Sequence, residues 1–289
     1  MLRFSRVVLA AALVWLLAGV ARAEPPVWVV RSGSATIVLF GSVHLLPPGL
    51  NWEPEQVRSA IARADDLWFE IPIDDASSLA AARSALALGM QPPGQTLRAQ
   101  LPAADLPRLL HAAQACDLSI DSLDRLKPWL AEITLSVSAY RQAGALQEDG
   151  VERTLAASAP ITLQRRAFET PEQQIGYLAA AALPDQIASL EETLGELDQG
   201  SASYQRLVAA WMAGDTAAIR TEAIDPLKTQ APGVYAVLVV QRNRNWVKAI
   251  EARLRAPGLS VMVVGVGHLV GADGVPAMLR AEGLQVEGP

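Results

Sequence analysis

The sequence predicts an α/β fold with a central mixed β-sheet, flanking helices and a largely helical middle region. Short β-branched, apolar segments lie near both ends of the chain, and alanine- and leucine-rich stretches lie between them. Strand patterns that alternate with helical patterns are typical of this class. With 289 residues, 51% of them hydrophobic, the chain can bury a substantial core, and we expect one domain over residues 24–289.

The first 23 residues have the pattern of a secretory signal peptide. Arg3 and Arg6 precede an uncharged apolar run over residues 7–20, which is followed by Ala21 and Ala23. The run is shorter than the roughly 20 residues that a membrane-spanning helix needs. We therefore expect cleavage after Ala23, a periplasmic or secreted protein, and no stable membrane span afterwards. An uncleaved membrane anchor is the alternative.

The mature chain opens with a predicted β-hairpin. Val27–Val30 and Ala35–Phe40 are β-branched and aromatic, and they flank a Ser-Gly-Ser connection. Residues 51–64 mix Glu, Gln and Arg with apolar residues, which predicts an amphipathic helix beginning at Asn51. Leu67–Ile71 follows as a short strand.

Two helical insertions are predicted, at about residues 76–156 and 172–255. Prolines divide the first one into short pieces, because proline ends a helix or occupies its first turn. Ile161–Phe168 is a predicted strand between the insertions. Leu259–Val264 is a continuous β-branched, apolar run, which is typical of a strand buried on both faces.

The composition argues against binding to nucleic acid or anionic lipid, and against stabilisation by a disulfide. The formal net charge is -6 and no Lys/Arg cluster is present, so we expect no binding to nucleic acid or to anionic lipid. Cys116 is the only cysteine, so no intrachain disulfide can form. We interpret Cys116 and His111, both in an alanine-rich helical stretch, as structural residues.

Two of the three histidines end a predicted strand in the same way. His44 follows Gly41 in a Gly-x-x-His motif, and His268 follows Gly265 in another. Glycine permits the tight backbone turn that leaves a strand and places the next side chains at the edge of the sheet. Ligand sites of α/β proteins lie at such carboxyl edges of the strands.

Glu70 is the expected third member of this site, because a carboxylate at the end of the apolar strand Leu67–Ile71 needs a partner. Two imidazoles and one carboxylate form a common ligand set for a catalytic divalent metal ion. Alternatively, one of His44, Glu70 and His268 is a general base. Taken singly, each histidine could also be a hydrogen-bonded structural residue, and Glu70 a surface residue.

Three further residues are secondary candidates. Glu169 could be an additional ligand or base, or an acidic residue near the N-terminus of a helix. Arg242 and Asn243 could orient a carboxylate or substrate, or form a structural salt bridge. Ser42 is not expected to be a nucleophile, because the Gly-x-Ser-x-Gly pattern is absent around it.

The ordered motifs resemble those of the TraB/GumN family, which is related to the Tiki metalloproteases. They are Phe40–His44, the Phe69-Glu70 strand end, Arg242–Trp246 and Val264–Gly271. The resemblance implies that His44, Glu70 and His268 form the catalytic or metal-binding set. It also implies a divalent metal ion such as manganese, cobalt or zinc, a peptide or protein substrate, and the architecture shared with erythromycin-esterase and ChaN-like proteins.

The sequence therefore predicts an exported, metal-dependent hydrolase that cleaves peptides. Because related folds serve different purposes, the alternative is a non-catalytic binding module that uses the same pocket for a metal, haem or a peptide.

Overall fold

The computed structural model describes residues 24–289, so the predicted signal peptide at residues 1–23 lies outside the described residues. Six strands form one mixed sheet: β1 (Val27–Ser32), β2 (Ala35–Ser42), β3 (Asp66–Phe69), β4 (Gln164–Ala167), β5 (Gly258–Gly265) and β6 (Gln285–Glu287). Their order across the sheet is β4-β3-β5-β2-β1-β6. The predicted α/β class with a central mixed sheet is confirmed.

The hairpin of β1 and β2 is antiparallel, as predicted, and Gly33 supplies the positive φ of 55° that its tight turn requires. β2, β5, β3 and β4 are joined by parallel pairings. Parallel strands end at the same side of a sheet. The carboxyl ends of β2, β5 and β3 therefore meet at one edge.

Strands β2 and β5, at the centre of the sheet, are almost fully buried, because helices cover both faces of the sheet. Most of their side chains are β-branched or large and apolar, which suits a strand that packs on both sides. Phe40 of β2 stacks on Trp52 with ring centroids 5.8 Å apart, and both rings pack against Trp211. This aromatic packing holds the strand that leads to His44.

Helices make up most of the remaining chain, and most of them lie between β3 and β4 and between β4 and β5. They are α1 (Glu55–Ile61), α2 (Asp75–Gly89), α3 (Leu97–Gln100), α4 (Leu106–Ala115), α5 (Ile120–Leu123), α6 (Pro128–Gln142), α7 (Val151–Ser158), α8 (Pro171–Ala180), α9 (Leu183–Leu197), α10 (Ala202–Ala213), α11 (Thr216–Ala223), α12 (Asp225–Gln230), α13 (Pro232–Tyr235), α14 (Arg242–Leu254) and α15 (Val275–Ala281). A π-helical segment, Ala236–Gln241, joins α13 to α14, and Val266–His268 form a 3₁₀ turn.

Three elements differ from the prediction. The first helix begins at Glu55 rather than at Asn51, because Trp52 is drawn into the core and Pro54 is extended. The strand predicted over Ile161–Phe168 covers only Gln164–Ala167, and Ile161 is almost fully exposed. Strand β6 was not predicted, because its three residues carry no apolar pattern of their own.

A second apolar cluster lies away from the sheet, among α3, α4, α5, α6 and α9. Cys116 is buried in it, with its Sγ 3.7 Å from the carbonyl oxygen of Leu135, while His111 faces solvent. Cys116 packs inside this cluster, and His111 lies near Asp198 at the surface. Within residues 24–289, no helix is long and apolar enough to cross a membrane.

Candidate functional site

His44, Glu70 and His268 surround one small space at the carboxyl edge of the sheet. Glu70 directly follows β3, His44 lies two residues beyond β2, and His268 ends the 3₁₀ turn after β5. A Cβ atom added to Gly265 would lie 3.3 Å from Oε1 of Glu70, 3.6 Å from Nε2 of His44 and 3.7 Å from Cδ2 of His268. The three residues proposed from the sequence are therefore brought together, and the missing side chain of Gly265 leaves the room between them.

His44 is oriented by a buried carboxylate. Its Nδ1 lies 2.6 Å from Oε1 of Glu152, and the hydroxyl of Ser42 donates to the same oxygen at 2.5 Å. With Nδ1 occupied, the Nε2 atom of His44 faces the space over Gly265. The charge of Glu152 raises the pKa of His44 to about 9, since it favours the imidazolium form. The side chain of His44 is nevertheless 59% exposed, so substrate can reach it.

Glu152 was missed by the sequence analysis. Along the sequence Glu152 is far from every strand end, and it belongs to no motif. It lies in the first turn of α7. A structural signal is the preceding Gly150: a Cβ atom there would lie 2.0 Å from the carbonyl oxygen of His44. The N–H of Val151 also donates to the carbonyl of Val43 at 3.2 Å. The start of α7 is thus fixed directly against the backbone that carries His44.

Arg242 is the buried centre of the charge network. Its guanidinium donates to Oε2 of Glu70 at 2.6 Å and to both oxygens of Glu169 at 2.8 and 3.0 Å. Burial works against the charge of Arg242, but the two carboxylates raise its pKa further above the ordinary value. Arg242 follows the π-helical segment, and such segments are frequent at functional sites.

The two carboxylates respond to Arg242 differently. For Glu70, burial opposes ionisation, yet the positive charges of Arg242 and His44 bring its pKa well below the usual range. Its Oε1 accepts the N–H of Gly265 at 2.7 Å, and its Oε2 accepts the amide of Gln174 at 2.9 Å. For Glu169, burial dominates and its pKa is raised, although Arg242 opposes the shift.

His268 is held as a neutral imidazole. Its Nδ1 lies 2.7 Å from Oδ1 of Asn243, and its Nε2 lies 3.1 Å from Nη1 of Arg242. Since a guanidinium can only donate, Nε2 is the acceptor and Nδ1 carries the proton. Burial and the positive charge of Arg242 lower the pKa of His268 to about 3. Trp246 packs on the ring, with centroids 4.5 Å apart.

Arg242, Asn243 and Glu169 position other residues rather than line an open cavity. Arg242 and Asn243 are buried, and their polar groups are used by Glu70, Glu169, His268 and backbone carbonyls. Glu169 also accepts the indole N–H of Trp246 at 2.8 Å. These contacts agree with the structural salt bridge that was the alternative for Arg242, and the substrate contact suggested for Arg242 and Asn243 stays a prediction.

The predicted metal ligands are His44, Glu70 and His268, and their atoms face the space over Gly265 differently. Nε2 of His44 and Oε1 of Glu70 face the space over Gly265, but Nε2 of His268 is taken by Arg242 and its ring presents a carbon atom. In the part of the chain that the structure describes, no group of three His, Cys, Asp or Glu residues is arranged to hold a metal. As placed, the residues do not fit a metal centre with three protein ligands.

Two cavities meet at His44. The first, of about 360 Å³, is lined mainly by residues from α6, α7, α8 and the segment after β3, and it includes Glu70. The second, of about 260 Å³, lies on the side of Gly265 and His268 and is lined by residues of α6, α10 and α11. His44 and Leu45 line both cavities. The exposed imidazole thus lies at their junction.

Comparison with known proteins gives one family and no solved structure. The model of the TraB/PrgY/gumN family matches residues 26–288. The chain is 25% identical over 264 residues to the uncharacterized protein YbaP of Escherichia coli (strain K12), covering 89% of this chain and 92% of that protein. The same values hold for the uncharacterized protein YbaP of Shigella flexneri. No solved structure matches the chain significantly.

Proposed function

This chain belongs to the TraB/PrgY/gumN family, and from that premise we propose that it is an exported hydrolase that cleaves peptide bonds at the space over Gly265. The observation that carries the proposal is the pairing of an exposed His44, held by Glu152, with an ionised Glu70 on the same space. An imidazole whose far nitrogen is bound by a carboxylate is the usual arrangement of a general base.

The proposed reaction uses a water molecule in the space over Gly265. In the neutral form of His44, which is the minority form at pH 7 because its pKa is raised to about 9, Nε2 takes one proton from the water, whose oxygen attacks the carbonyl carbon of the substrate. Oε1 of Glu70 accepts the second hydrogen of the water and orients it. When the C–N bond breaks, the proton on Nε2 passes to the departing amine, and Glu152 stabilises the imidazolium between these steps. Arg242 keeps Glu70 ionised and in place.

Metal dependence remains a separate prediction, which rests on the family resemblance. His44 and Glu70 could supply two ligands to a divalent ion, and such an ion would polarise the carbonyl or its bound water. Metal analysis of the purified protein, and turnover with and without a chelator, test this prediction.

The function is tested by the substitution Glu70→Gln. Gln keeps the size of Glu but loses the negative charge that orients the water, so we expect turnover of a cleaved peptide to fall at least about a hundredfold. Folding should survive, because Gln keeps the shape of Glu and the buried Arg242 keeps its ion pair with Glu169. Circular dichroism checks the fold, and Cys116→Ala, away from the site, is the matched control with near-normal turnover.

Wild-type turnover by Glu70→Gln would remove Glu70 from the mechanism and direct attention to Glu169. A wild-type protein that binds peptides without cleaving any of them would instead favour the non-catalytic binding module.

Export is the second part of the proposal. It is supported by the charged, apolar and small-residue regions of residues 1–23. Expression of the full chain in a Gram-negative host should yield a periplasmic or secreted protein that begins at Glu24, as measured by mass spectrometry of the intact chain. A protein that keeps residues 1–23 and stays with the membrane fraction would contradict the cleavage.

A further inference from the structure

The two cavities that meet at His44 lie on different sides of the proposed reacting group. The first contains Glu70 and the second contains Gly265 and His268, while His44 and Leu45 are common to both. A substrate bond placed at Nε2 of His44 therefore has one cavity on each side of it. Ligand cavities of a few hundred Å³ are large enough for side chains of a bound chain.

The first cavity combines aliphatic walls with charged groups. Ile71, Ile73, Ile133 and Val137 form the aliphatic walls, and the charged groups in the lining are Glu70, Glu152 and Arg153. The guanidinium of Arg153 donates to the hydroxyl of Ser78 at 3.3 Å. Aliphatic walls favour an aliphatic side chain, because burying it removes apolar surface from water.

The second cavity is aromatic and carries no Lys, Arg, Asp or Glu among the described residues that line it. Tyr140 and Tyr204 stack with centroids 4.7 Å apart and form one wall. The hydroxyl of Tyr204 donates to the carbonyl of Leu45 at 3.0 Å, which fixes this wall to the segment after His44. Leu207 and Ala223 complete the apolar lining. A lysine or arginine side chain would lose its hydration here without gaining a partner of opposite charge.

We propose that the two cavities are subsites for two apolar side chains, one on each side of the bond at His44. The protein then acts on a peptide bond that has an apolar residue on both sides. The proposal rests on the proposed function for the identity of the bond, but the two subsites can be tested by binding alone.

The experiment measures binding of peptides to the Glu70→Gln protein by fluorescence anisotropy. The probes are peptides of about eight residues, blocked at both ends, whose central pair is Leu-Leu, Ala-Leu, Leu-Ala or Ala-Ala. Each Leu→Ala change should weaken binding by about tenfold, because it removes the burial of an apolar side chain.

Two filling substitutions assign the cavities. Val137→Phe, in the first cavity, should abolish the preference for Leu at one position of the pair and leave the other position unchanged. Ala223→Phe, in the second cavity, should abolish the preference at the opposite position. Leu110→Phe, on the exposed side of α4, is the matched control and should change neither preference.

The subsites are overturned if the blocked peptides do not bind, if Leu and Ala bind equally, or if one filling variant removes both preferences. Cleavage by the wild-type protein separates this proposal from the proposed function. Position-specific binding without cleavage would refute the hydrolase and keep the subsites. Equal kcat/KM for all four peptides would keep the hydrolase and refute the subsites.

Discussion

Gly265 is the residue whose lack of a side chain shapes the candidate site. Its φ of -49° and ψ of 132° are open to any residue, so the backbone does not require glycine here. A Cβ atom would, however, lie 3.3 Å from Oε1 of Glu70 and 3.6 Å from Nε2 of His44. The glycine thus keeps free the space in which we place the reacting water.

The substitution Gly265→Ala tests this role. The added methyl group should occupy the space of the water, so we expect turnover to fall by about tenfold or more while the fold is kept. The measurement is kcat and KM for a cleaved peptide, together with the melting temperature. Gly195→Ala is the matched control: it lies in α9 with nothing within 4 Å of its added Cβ, so it should be neutral or slightly stabilising. Unchanged turnover by Gly265→Ala would place the reaction elsewhere.

At the residue scale, the sequence was informative where a local pattern places a side chain. The two Gly-x-x-His motifs and Glu70 each stand at the end of a strand. Because these strands are parallel neighbours, their carboxyl ends meet at one edge of the sheet and bring the side chains together. Glu152 could not be found, because a helix 108 residues further on brings it to His44. Only tertiary packing creates that pair.

At the level of single elements, α6 and α9 pack together around partly buried acidic groups. Glu132 of α6 accepts the hydroxyls of Ser189 at 2.9 Å and Thr193 at 3.3 Å, both on α9. Burial, together with the nearby charge of Glu196, raises the pKa of Glu132 from 4.5 to about 7, although the two hydroxyls oppose the shift. Glu192 is raised to about 7 mainly by burial as well.

These shifts predict that the protein loses stability between about pH 5 and pH 8. Below pH 4.5 the carboxyl is protonated in both the folded and the unfolded chain. Between 4.5 and about 7 the folded chain holds more protons, so the free energy of unfolding falls as pH rises through the folded pKa. At about 1.4 kcal/mol per pKa unit, and with partial solvent exposure reducing the effect, we expect a loss of about 1–3 kcal/mol from Glu132.

Glu132→Gln should reduce this dependence, because Gln accepts the same two hydroxyls without titrating. Urea unfolding of the wild type and the variant at about pH 5 and pH 8 measures it, and the variant should be the more stable at pH 8. The same change in stability between pH 5 and pH 8 in the wild type and in the variant would contradict the raised pKa of Glu132. The substitution lies outside the site, so turnover should change little.

Elements were predicted well where one physical pattern dominates. Strands β2 and β5 are long and continuously apolar, and their positions agree with the prediction. The bounds of α1 and β4 were wrong, because the burial of Trp52 and the short pairing of β4 with β3 override local propensity. Such overrides depend on distant residues and have no local signature.

At the scale of the whole molecule, the sheet joins the two ends of the described chain. Strand β6 pairs with β1 through Val29–Arg31, and the indole N–H of Trp28 donates to the carbonyl of Pro289 at 2.9 Å. The candidate site lies on β2, β3 and β5, so β1 separates it from β6. The hairpin and the strands of the site were predicted from the sequence, but no pattern indicated that the last residues form an edge strand of the sheet.

Deletion of residues 285–289 should therefore destabilise the fold and spare the chemistry. It removes the hydrogen bonds to β1, uncovers Trp28 and exposes a strand edge, which together should cost about 2–4 kcal/mol and lower the melting temperature by about 5–15 °C. The free edge should also promote association at high protein concentration.

Glu287→Ala, which only breaks the exposed ion pair with Arg31, is the control and should cost less than about 1 kcal/mol. Scanning calorimetry, size-exclusion chromatography and peptide turnover at low temperature measure the three effects. Loss of turnover in a folded, monomeric deletion variant would show that the site depends on β6, against the separation by β1.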